Sequence, residues 1–232
     1  MRSAHTPSRL TTAAMVILAF AGLAGGRSAQ ASTTVSKART LYVAIGDSFT
    51  QGVGTDQPLT ESFPALLARH LPPHSGFLNL GEAGYTAGDA RTIELPKALT
   101  AHVTLATVWL GTNDVHNGIP TPTFKSGLRA ILRALHRKHV HVFVGTLPNF
   151  KIVPVAAGNP DYSVRGQADN VAIVALAARY GATVVDVYPA SQSLWGHPNL
   201  VNSDGIHLAT KGYAKLANLF YRVMHAQGAL GP

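Results

Sequence analysis

Leu41-Tyr42-Val43-Ala44-Ile45-Gly46-Asp47-Ser48-Phe49 opens with five apolar residues and stops at a glycine. A short apolar run without alternation suits a strand buried on both faces, as in a parallel sheet. The pattern returns at Phe77–Leu80, Val103–Leu110, Val140–Val144 and Thr183–Val187. Helical signals fill the intervals. Ser62-Phe63-Pro64 offers a serine N-cap with proline in the first turn. Leu128, Ile131, Leu132 and Leu135 recur at i, i+3, i+4 and i+7, and Tyr213, Leu216, Ala217 and Phe220 repeat that spacing near the end. Val171 to Ala178 is apolar nearly all round, which predicts a helix covered on more than one side. Strands alternating with helices imply an α/β fold, a five-stranded parallel sheet with helices on both faces. No linker, low-complexity stretch or internal repeat divides residues 32–232, so a single domain is expected there.

The chain has 232 residues, 46% apolar and 13% charged, enough to bury a sizeable core and too apolar for a disordered chain. It has no cysteine, which excludes a disulfide framework, a thiolate metal site and a cysteine nucleophile. Residues 1–31 read as a secretory signal peptide. Arg2 and Arg9 precede the apolar run Leu10 to Ala24, and Ala29-Gln30-Ala31 offers the small residues that signal peptidase reads. A run of about fifteen residues is short for a bilayer core of roughly 30 Å, which favours cleavage near Ala31 and secretion over a retained anchor. Cleavage takes Arg2, Arg9 and Arg27 from the 19 basic residues, leaving 16 against 11 acids, a net +5. That surplus suits peripheral contact with anionic surfaces. Lys125, Arg129, Arg133 and Arg137 form a basic stripe opposite the apolar one, read as a solvated face. No aromatic–basic platform accompanies it, so nucleic acid is not an expected partner.

In a parallel sheet, ligands bind beyond the carboxyl ends of the strands. After the first strand comes Gly46-Asp47-Ser48-Phe49, where a serine hydroxyl and its own backbone N–H can face one cleft. After the second comes Asn79-Leu80-Gly81-Glu82-Ala83-Gly84, whose glycines let backbone approach a ligand. After the third comes Gly111-Thr112-Asn113-Asp114, with a carboxamide donor. Past the fifth lies Ser203-Asp204-Gly205-Ile206-His207-Leu208, where an acid can fold back onto the imidazole three residues on.

These four blocks, in this order from about Thr40 to Phe220, resemble the motifs of the GDSL, or SGNH, hydrolase family, which act on esters and thioesters. Phe49 stands where the family name has leucine. The resemblance implies a flavodoxin-like three-layer α/β/α fold with strand order 2-1-3-4-5. It implies Ser48 as nucleophile, His207 as general base and then acid, and Asp204 as the group orienting the imidazole. It further implies an oxyanion hole made of Ser48 N–H, Gly84 N–H and the Asn113 side chain. The expected function is a secreted serine ester hydrolase working through an acyl-Ser48 intermediate on a small-molecule, lipid or glycan ester, as a monomer. The alternatives are a carbohydrate or wall-glycan O-deacetylase, an acyltransferase, and a non-catalytic surface-binding module of the same fold.

No cofactor or metal is implied. His136, His139 and His141 crowd one segment, but Arg137 and Lys138 make it hostile to a cation. Gly52-Val53-Gly54 lacks the third glycine of a dinucleotide loop. Asp47 and Asp114 are expected to shape their turns through side chain to backbone hydrogen bonds. Two connections are candidates for substrate selection. Leu147 to Gly166 carries Phe150, Ile152, Val153, Val155 and Tyr162 and reads either as an acyl-binding wall or lid or as a packed loop. Tyr188 to Asn202, with Trp195 and His197, either lines the site or scaffolds the acid–histidine turn.

Overall fold

The computed structural model describes residues 39–231; the expected signal peptide, residues 1–31, lies outside the described residues. Strands β1 (Leu41–Gly46), β2 (Gly76–Asn79), β3 (Leu105–Trp109), β4 (His141–Gly145) and β5 (Thr183–Val185) form one parallel sheet in the order β2-β1-β3-β4-β5. Each observed strand lies within a residue or two of its expected run. In β1, every residue from Tyr42 to Ile45 is fully buried, as an unbroken apolar run between two helical layers requires.

Helices α1 (Ser48–Gln51), α2 (Pro58–Glu61) and α3 (Phe63–Ala68) join β1 to β2. Then come α4 (Ala87–Asp89), a π turn (Ala90–Glu94) and α5 (Leu95–Thr100), and after β3 come α6 (Thr112–His116) and α7 (Thr121–Arg137). Helices α8 (Pro160–Tyr180), α9 (Val187–Leu194) and α10 (Thr210–Ala226) complete the described chain. The pair α7 and α8 packs together, and α10 packs on α3. Leu128, Ile131, Leu132 and Leu135 of α7 are buried, as are Tyr213, Leu216, Ala217 and Phe220 of α10. Both stripes sit where helical spacing puts them.

Three expectations need correction. Ser62 precedes α3 at the cap position, but its buried hydroxyl has no hydrogen-bond partner and does not cap. The segment Leu147 to Gly166 is not one long loop, because α8 begins at Pro160, capped by the Asn159 side chain. Val171 and Val174 are 72% and 49% exposed, so this stretch of α8 is covered on one face and not on more. Ala172, Ile173, Leu176 and Ala177 form its one buried face, packed toward α7, β4 and β5.

Candidate active site

Gly46 ends β1 with no room for a side chain: a β-carbon there would lie 1.9 Å from Thr50 Oγ1 and 2.7 Å from the Trp109 carbonyl. Asp47 then caps α1, its Oδ1 accepting from Phe49 N–H at 3.0 Å, as its sequence context implies. Ser48 follows as the first helical residue, so its own N–H has no acceptor within the helix. Phe49 fills the space below, its ring centroid 5.0 Å from Trp109, 5.9 Å from Trp195 and 5.2 Å from the His207 imidazole. That contact with the imidazole gives the larger side chain a packing role.

The acid–histidine turn is held from several directions. Asp204 Oδ1 accepts from the N–H groups of Ile206 and His207, both at 2.9 Å. Trp195 Nε1 donates to the Ile206 carbonyl at 2.7 Å, and Asn202 N–H to the His207 carbonyl at 2.8 Å. The buried indole makes the stretch Tyr188 to Asn202 a scaffold for this turn, through α9 and the segment behind it. Tyr213 on α10 donates its hydroxyl to the Val53 carbonyl at 2.8 Å, tying the serine loop to the helix that follows the histidine.

Folding brings Ser48, His207 and Asp204 into one chain of hydrogen bonds across a sequence separation of about 160 residues. His207 Nδ1 lies 2.6 Å from Asp204 Oδ2, and His207 Nε2 lies 2.8 Å from Ser48 Oγ. A carboxylate only accepts, so Nδ1–H donates to Asp204, and the neutral ring's Nε2 accepts from the serine O–H. Burial pulls the Asp204 carboxyl upward, but the bonds from His207 and from the two backbone N–H groups outweigh it and hold it below its ordinary value. An ionised Asp204 fixes the tautomer in which Nε2 can take the hydroxyl proton.

The donors expected around the hydroxyl stand at the same strand exits. Gly84 adopts φ of +83°, a left-handed conformation that favours glycine, and a β-carbon there would meet nothing within 4 Å. Asn113 Nδ2 donates one N–H to the Tyr85 carbonyl at 2.9 Å, which leaves its amide a second donor. Asp114 reaches beyond its own turn. Its Oδ2 accepts from Ala87 N–H at 3.0 Å and so links the third block to the second.

Glu94 was not singled out in the sequence and is the least expected member of this neighbourhood. It closes the π turn, is 1% exposed, and its Oε2 accepts from Gly46 N–H at 2.9 Å. The β1–β2 ladder ends at Ala44 and Asn79, so the glutamate supplies the acceptor that β2 no longer offers. Burial, opposed by the Gly46 bond and reinforced by the Asp47 charge, pushes Glu94 up to about 8. Burial likewise raises Asp47 to about 7 and Asp114 to about 6. A lone acid in Thr92-Ile93-Glu94-Leu95 reads as a surface residue, because glutamate is seldom buried.

Residues 147–159 pack more than they cover. Phe150, Val153 and Ala156 are buried in the core, and Tyr162 lies on α8, bonded to His116. Val155 is the one large apolar side chain among them that is well exposed, and its N–H donates to the Gly205 carbonyl at 3.2 Å, against the acid–histidine turn. His136 and His139 are exposed and His141 is half-buried; among the described residues no cluster could hold a metal ion.

A hydroxyl, an imidazole and a carboxylate in line at the exits of a five-stranded parallel sheet have the geometry of acyl-transfer hydrolases. The chain matches the GDSL-like lipase/acylhydrolase family over residues 44–215 and belongs to it. It is thus a hydrolase of ester bonds. Among solved structures it is similar to TesA, at 22% identity over 81% of this chain and 99% of that one, with a TM-score of 0.66. It is similar to the psychrotrophic esterase EstA from Pseudoalteromonas sp., inhibited by monoethylphosphonate, at 17% identity over 81% and 98%, TM-score 0.66. It is also similar to the acetyl xylan esterase AlAXEase, at 17% identity over 78% and 98%, TM-score 0.64. These likenesses are of fold. Among curated proteins the chain has no match.

Proposed function

We propose that this chain is an exported serine hydrolase that cleaves acyl esters or thioesters through an acyl-Ser48 intermediate. The observation carrying this reading is the 2.8 Å contact of Ser48 Oγ with His207 Nε2, in line with the 2.6 Å contact to Asp204. His207 takes the hydroxyl proton as Ser48 attacks the carbonyl and returns it to the leaving alcohol or thiol. Water then attacks the acyl-enzyme with the same base. Asp204 holds the imidazole and balances its charge. Ser48 N–H, Gly84 N–H and the free Asn113 N–H receive the oxyanion, the charge on which most of the rate depends. The signal segment 1–31 supports export, with residues 32–232 as the working domain.

Hydrolysis of p-nitrophenyl acetate, butyrate, octanoate and palmitate, beside Ser48→Ala, tests the reading. Ser48→Ala is expected to abolish nearly all turnover while the circular dichroism and melting profile stay those of the parent. An optimum at acetate places the enzyme among deacetylases, the glycan O-deacetylase included. A longer optimum places it among lipid or acyl-thioester hydrolases. Serine-independent turnover, or none together with no labelling by a serine-directed phosphonate, overturns the assignment.

A further inference from the structure

Outside glycine, positive φ occurs among the described residues at three positions only, and all three are histidines: His74 at 65°, His102 at 59° and His139 at 56°. A β-carbon makes this conformation costly; glycine adopts it most readily, and asparagine, aspartate and histidine lead the other residues. The three hold equivalent places, each in the turn that delivers a helix into a strand: His74 before β2, His102 before β3 and His139 before β4. The matching turn before β5 has Gly181 at φ of +66°. All three histidines are exposed. Because the strands are parallel, these turns share the amino pole of the sheet, opposite Ser48. Arg39 enters β1 between them, its Nε donating to the His74 carbonyl at 2.8 Å. Strand order then sets His74, Arg39, His102 and His139 in sequence at the entries of four neighbouring strands.

Charge is segregated by pole. Residues 69–75, 99–104, 136–141 and 179–182 contain no Asp or Glu, and neither does any part of α7 or α10. The carboxyl ends of those two helices bring exposed Arg137, Lys138 and Arg222 to the same end of the molecule. All 11 acids of the chain fall between Asp47 and Asp204, at strand exits or in segments leading from them. Among the described residues no lysine or arginine lies within 4 Å of a carboxylate, the His207–Asp204 contact being the single pair of its kind. None of the exposed large apolar side chains lies in these turns. A cleft of about 280 Å³, lined by Leu99, His102, Val103, Thr104 and Lys138, opens in this face.

We infer that the amino pole is a docking face for an anionic lipid bilayer, on which the enzyme sits with Ser48 turned away from the membrane. The face spans all three layers, from the end of α7 across the strand-entry turns to the end of α10. Its cations therefore cover an area, which matches a plane of headgroups better than a single linear polyanion. Lacking an apolar wedge, it adheres by charge alone and releases in salt. Histidine is the side chain that gains charge between about pH 8 and pH 5. His141 beside the row is held low by burial, and His70, His136 and His225 stand exposed at the same end. No carboxylate on the facing turns or on α7 and α10 offsets the gain.

Flotation of the full chain with vesicles of equal parts phosphatidylglycerol and phosphatidylcholine, against pure phosphatidylcholine, tests the inference. Only the difference between the two vesicles is scored. Binding is expected on the anionic vesicles and to be tighter at about pH 5.5 than at about pH 7.5. Arg137→Gln/Lys138→Gln is expected to lower partitioning about twentyfold, and Arg91→Gln/Lys151→Gln, exposed elsewhere, to leave it unchanged. His74→Gly/His102→Gly/His139→Gly places glycine where the backbone favours it, so fold and turnover of a dissolved ester persist while the pH gain shrinks, exposed His70, His136 and His225 remaining at this end. Bound parent enzyme keeps its turnover of that ester. Equal binding to both vesicles, equal loss in the two double variants, a pH gain undiminished in the glycine triple, turnover silenced by binding, or polyphosphate outcompeting vesicles of equal phosphate content would each overturn it.

Discussion

Glu94 and Gly46, 48 residues apart, are joined by a 2.9 Å hydrogen bond from the glycine N–H to a buried carboxyl oxygen. The bond fastens the last residue of β1, two positions before Ser48, to the π turn that precedes α5. It makes Glu94 a positioning residue for the serine turn. Glu94→Ala leaves a buried N–H unpaired, a cost of about 1–3 kcal/mol. It is expected to lower both Tm and kcat with little change in KM. Glu94→Gln keeps an acceptor and is expected to restore most of the kcat. Equal kcat in the two variants would remove the positioning role.

The donors around Ser48 are separable by substitution. Asn113→Ala removes a side-chain N–H from the expected oxyanion site and is expected to cost about 10²–10³ in kcat. Its bond to the Tyr85 carbonyl is lost as well, so a parallel Tm measurement distinguishes local collapse from lost charge stabilisation. Asp204→Asn is expected to cost about 10⁴ in kcat, because the amide favours the wrong imidazole tautomer. A loss below tenfold in either variant would argue against the role assigned.

Stability is expected to fall as pH rises from about 4 to about 8. Glu94, Asp47 and Asp114 are raised by burial to about 8, 7 and 6. In the unfolded chain they titrate near about 4. Between those limits the folded state holds protons that the unfolded state has released, so raising the pH favours unfolding. Below the unfolded range all are protonated in both states, and above about 8 their contribution is fully lost. Asp204 acts in the opposite direction, and its contribution is lost as pH falls through its lowered range. Thermal melts at pH values from about 4.5 to 8.5 read the net slope, and Glu94→Gln is expected to flatten its upper part.

The Trp195 bond to Ile206 gives a fourth test. Trp195→Phe keeps a ring against Phe49 and removes the indole N–H that holds the turn at 2.7 Å. One such bond is worth about 0.5–1.5 kcal/mol, so kcat is expected to fall roughly three- to tenfold if the bond sets the imidazole's place. An unchanged kcat with a lowered Tm would leave Trp195 a packing residue only.

The five strands were legible in the sequence because burial on both faces forces unbroken apolar runs such as Leu41–Ile45. Ser48, Asp204 and His207 were legible because each follows a strand end or tight turn with few local alternatives. Candidate roles thus attached to short local patterns. What the sequence could not convey was partnership. Glu94 finds its acceptor role only where β2 turns away, Asp114 reaches across to Ala87, and Trp195 holds a carbonyl eleven residues on. Such bonds depend on distances between elements, which local composition does not encode. The exposed face of α8 was misread for the same reason, since an apolar helix is covered only where the fold puts something beside it. The poles show the division most plainly. Acid-free turns can be counted in the sequence, but only parallel strand order gathers His74, His102 and His139 at one end and the serine at the other.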